Sequence, residues 1–61
     1  MKYICLQEHR IFLKHVIAVV PIETRTVLFK CVGNINISFD FNDTQTRDSF
    51  IKNLKNYIYE M

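Results

Sequence analysis

With 61 residues the chain makes one small domain, which buries only roughly 60% of its unfolded surface and so needs a rich core or outside help. Its composition supplies the core: 49% of the residues are hydrophobic, and one Gly and one Pro allow few, short loops and exclude a disordered tail. A net charge of +2 is too slight to imply nucleic acid by itself, and two cysteines are too few for a disulfide scaffold.

The chain begins with a short strand-like segment, YICLQE (3–8). Gln7, Glu8, His9 and Arg10 fall where a signal peptide would carry its apolar region. IFL (11–13) follows as a second short strand, and VIAVVPIE (16–23), rich in β-branched residues, as a third. The run VIAVVPI is far shorter than the about 20 residues that cross a bilayer. The expectation is a cytoplasmic protein with reduced cysteines and no membrane partner. Pro21 cannot donate to a ladder, so it marks an edge strand or a bulge.

TVLFKCV (26–32) and NISFDF (36–41) continue the strands, with Gly33 and Asn34 between them where a positive φ is wanted. A strict two-residue turn there would drive Lys30 into the apolar row. A three-residue loop, Val32-Gly33-Asn34, instead pairs Cys31 with Ile35, Phe29 with Ile37 and Val27 with Phe39. A one-residue slip swaps faces wholesale, so the second register is expected. Carried back over a four-residue loop (23–26), it pairs Ile22 with Val27, Val20 with Phe29 and Ala18 with Cys31. Asn36, Ser38 and Asp40 then form a solvated outer row, the ordinary look of a half-buried antiparallel strand.

Last comes a helix. Phe50, Ile51, Leu54, Tyr57, Ile58 and Met61 stack on one face at 3.6 residues per turn, which predicts a helix over about 44–60 capped by Asp43 or Thr44. The fold class is α+β: a four- or five-stranded antiparallel meander, with scope to curl into a small barrel, and one C-terminal amphipathic helix packed on one face.

The outer face is not uniformly polar. Ile17, Val19, Leu28 and Val32 fall on it, and each aliphatic side chain fully buried is worth about 1.5–3 kcal/mol, so these four form a candidate interface. The first hairpin, a second copy of the chain or a foreign protein would cover them.

Motifs for chemistry are sparse. Cys5, His9, His15 and Cys31 have no recognised zinc spacing, and both cysteines sit among apolar neighbours, which raises a thiol pKa. One glycine cannot build a phosphate loop, and the carboxylates are scattered. No metal, cofactor or catalytic residue is expected. The reading is a non-enzymatic interaction module, self-associating as a dimer or bound to a protein partner, that binds and modulates another macromolecule. The alternative is a weak nucleic-acid binder using Arg47, Lys52 and Lys55 on the helix, and Arg10 and Lys14 beside His9 and His15 around the first hairpin.

Overall fold

A computed structural model describes residues 1–61. Alternating segments and runs of β-branched residues form six strands: β1 (Lys2–Leu6), β2 (His9–Phe12), β3 (Val16–Ile22), β4 (Thr26–Cys31), β5 (Ile35–Asp40) and β6 (Ile58–Glu60). One α-helix, α1 (Thr44–Lys52), separates β5 from β6. The strands form two three-stranded antiparallel sheets, ordered β2-β1-β6 and β3-β4-β5. The α+β class is as read from the sequence. The strand count and the barrel are not: there are six strands in two separate sheets, with no closed barrel.

Between β4 and β5 the register is the expected one. Cys31 lies opposite Ile35, Phe29 opposite Ile37 and Val27 opposite Phe39, with Lys30 beside Asn36 on the outer side. Gly33 (φ 77°) and Asn34 (φ 60°) take the left-handed conformations that the tight connection demands.

Between β3 and β4 the expected register is off by one. Glu23 turns left-handed (φ 54°), so the connection needs only residues 23–25, and Ile22 pairs with Thr26. Thr26 is buried there because its polar groups find partners. Its hydroxyl donates to Asp40 Oδ1 at 2.7 Å, and its carbonyl accepts from Arg47 Nη1 at 2.8 Å. The shift puts Val19 opposite Phe29 on the inner face and Ala18, Val20 and Ile22 on the outer face. A bulge at Ile17 then brings Val16 back inward, opposite Cys31.

The helix is also shorter than its periodicity suggests. Asp43 caps its start, with Oδ1 accepting from the Thr46 N–H at 2.7 Å, and that bond holds the Asp43 carboxyl below its ordinary value of 3.8. At the other end Asn53 leaves the helical conformation, and its side-chain amide donates to the Ser49 carbonyl at 3.0 Å. A single 3-10 turn (Leu54–Tyr57) leads into β6. Tyr57, Ile58 and Tyr59 are aromatic and β-branched, and β1 offers them a free side: Ile58 pairs with Ile4 and Tyr59 with Tyr3. Ladder pairing of these strand formers replaces the last turns of helix. No helix is long and apolar enough to cross a membrane.

The two sheets face one another across the core. Ile4, Leu6 and Ile11 meet Val27, Phe29, Cys31 and Phe39, and Phe50 of α1 closes the side. Phe29 lies at its centre, edge-on to Phe39 (5.6 Å between ring centroids). The first hairpin therefore covers the inner face of β3-β4-β5, not the outer face that was expected to need it.

Candidate interaction surfaces

The sheet β3-β4-β5 has two edges built differently. At β3, Pro21 removes a donor and the bulge at Ile17 disturbs the ladder; both are devices that keep a foreign strand from pairing. At β5 there is no proline, no lysine and no bulge along six residues. Only its far end is tied, where Gln7 Nε2 donates to the Asp40 carbonyl at 2.8 Å.

Beside β5 the sandwich is open. A groove of about 370 Å³ runs between β2 and the Val32–Asn34 turn, lined by Ile11, Phe12, Val32, Ile35 and Ile37, with the exposed Arg10 and His15 alongside. Val32 and Ile35 remain 48% and 56% exposed, which is high for aliphatic side chains next to an apolar groove.

The four residues expected to form one outer patch are dispersed. Val19 points inward and packs against the core, because β3 slipped by one residue. Leu28 is on the outer face, half-buried between Val20 and Ser38 on the neighbouring strands. Ile17 stands out at the bulge, 68% exposed, and Val32 belongs to the groove.

Of the basic residues expected to meet nucleic acid, Arg47 does not reach the surface. Its guanidinium is buried, with Nε donating to Asp48 Oδ1 at 2.7 Å and Nη1 to the Ile22 and Thr26 carbonyls. Lys52 and Lys55 are exposed on α1 and the turn after it. Lys14 is exposed in the 3-10 turn after β2, and Arg10 lies with its guanidinium carbon 5.5 Å from the centre of the Tyr3 ring.

That contact belongs to a surface the sequence reading missed. On the outer side of β2-β1-β6, Tyr3 stands between Phe12 and Tyr59, at centroid distances of 6.2 and 5.8 Å, and His15 abuts Phe12 at 6.3 Å. The alternation in KYICL and HRIF contained the Tyr3–Phe12 half of this row. Tyr59 could not be placed while its segment was read as helix.

Cys5 is exposed across from Arg10, and Cys31 is buried in the core. No three His, Cys, Asp or Glu side chains converge as a metal ion would require. No family model, curated protein or solved structure matches the chain.

Proposed function

We propose that the protein is a small, non-enzymatic, cytoplasmic interaction module that associates with a second copy of itself through the open edge of β5. The observation carrying this reading is the contrast between the blunted β3 edge and the unprotected β5 edge beside an apolar groove. Antiparallel pairing of β5 with its symmetry mate is self-complementary, as a twofold contact requires, and would merge two three-stranded sheets into one of six. The free backbone groups of each edge gain partners, and Ile35 and Ile37 of both copies shield the two grooves. A module of this kind would present paired surfaces to another macromolecule and modulate it by occupancy, with no chemistry of its own.

The test is the solution mass by light scattering at micromolar concentration. The expected result is a dimer that becomes a monomer in the double variant Val32→Lys, Ile35→Lys, with an unchanged circular dichroism spectrum. A parent chain that is already a monomer at high micromolar concentration ends this reading.

A further inference from the structure

Of the aromatic row on the other sheet, only Phe12 borders the β5 groove; Tyr3 and Tyr59 lie outside it. We propose that the outer face of β2-β1-β6 is a stacking platform for single-stranded nucleic acid, with bases on Tyr59, Tyr3 and Phe12 and phosphates drawn by Arg10 and Lys14.

Three observations support this occupant. First, the strand registers fix what the face carries: Tyr3 opposite Phe12 and Tyr59, and Cys5 opposite Arg10. It holds three aromatic rings and a cation and no carboxylate. Glu60 alternates to the other side, paired across the ladder with Lys2. Second, β2 and the segment that follows it are basic between Glu8 of the β1–β2 turn and Glu23 beyond β3. Residues 9–22 contain Arg10, Lys14 and two histidines and no Asp or Glu. Such a field attracts a polyanion and repels acidic protein surfaces. Third, the row runs across three strands, which at about 4.8 Å per strand spacing gives a span of about 10 Å. That suits successive unpaired bases, whose flat faces are free. A duplex hides those faces and could meet the row only through its backbone.

Arg10 over Tyr3 has two uses in this arrangement. In the free protein it covers the ring, a cation–π contact. With a strand bound, its guanidinium turns to a phosphate or stacks on a base, and the ring becomes available.

The platform meets the β5 groove at Phe12 and Arg10, but the two readings fail independently, because Tyr3 and Tyr59 belong to the platform alone and Val32 and Ile35 to the groove alone. The probe is a labelled oligothymidylate of about ten nucleotides, followed by fluorescence anisotropy at low and at physiological salt, with inorganic polyphosphate as a base-free competitor. Binding should weaken as salt rises. Tyr59→Ala and Phe12→Ala should each reduce affinity about 5- to 150-fold, the range that alanine replacement of a stacking residue produces. Tyr59→Phe should retain binding, because the ring and not the hydroxyl is used. Arg10→Glu should abolish it, and the Val32→Lys, Ile35→Lys variant should keep it. Bound oligonucleotide should also slow alkylation of Cys5, which lies on the platform. Melting curves confirm that each variant is folded.

Absence of binding at low salt overturns the proposal. So does polyphosphate displacing the oligonucleotide at equal phosphate concentration while the alanine variants bind normally, the mark of a charge-only surface. Loss of binding in Lys52→Glu, Lys55→Glu with the aromatic variants unaffected would move the site to the helix and equally refute it.

Discussion

The two edges of the β3-β4-β5 sheet face the same problem and answer it differently. β3 carries Pro21 and a bulge at Ile17, and at its end the buried Arg47 of α1 donates to the Ile22 and Thr26 carbonyls. β5 carries none of these along its length and borders the only groove in the molecule. An edge left bare in a domain this small is a cost in solubility unless something covers it. The difference teaches that an exposed apolar side chain is a weak guide to a contact. Ile17 is the most exposed isoleucine in the chain, yet it sits on the guarded side.

The comparison can be broken at its base. Phe29→Ala removes the ring beneath both edges and should cost about 3–5 kcal/mol. For 61 residues at about 0.05–0.15 kcal/mol each, total stability is of the same order, so urea titration should find this variant largely unfolded, with neither edge left to compare. Arg47→Met acts on the guarded side alone. It strands two carbonyls that now accept from a charged donor, and chemical denaturation should show a loss of about 1.5–3 kcal/mol with association through β5 intact.

Exchanging the guards between edges sharpens the contrast further. Ser38→Lys places a lysine on β5 and should abolish the dimer while changing the stability of the monomer by less than about 0.5 kcal/mol. Pro21→Val in that background should restore some association, now through β3, measured by sedimentation. The smallest effect concerns the helix that follows β5. Because the Asp43 carboxyl is held below 3.8 by its bond to Thr46, the cap contributes fully above that pH and fades as the pH falls through the lowered value. Asp43→Ala should lower the melting temperature slightly at neutral pH and remove this acid-dependent component.

How much of this was legible depends on parity. NINISFDFND alternates strictly, so a one-residue slip between β4 and β5 would have exposed two phenylalanines, and Gly33-Asn34 fixed the turn. VIAVV has apolar side chains on both faces, so its sequence hardly penalises a shift. What decided that register was a hydroxyl–carboxylate bond from Thr26 and the reach of Arg47, neither of which periodicity reveals. The tail was ambiguous for another reason. Phe50, Ile51, Leu54 and Tyr57 fit a helical stripe, and Tyr57-Ile58-Tyr59 fits a strand equally well, but the choice rested on a partner at the opposite end of the chain. The groove and the aromatic row share that dependence, because each is assembled from segments far apart in sequence.

The position of β1 carries a kinetic consequence. It is the middle strand of its sheet, and its two neighbours arrive from opposite ends of the chain: β2 after a two-residue turn, β6 through the pairing of Lys2 with Glu60. The entropy lost in closing so long a loop grows only logarithmically, so the final state suffers little, but such a distant contact slows folding. A polypeptide cut after Tyr57 would keep the hairpin and leave one flank of β1 without partners.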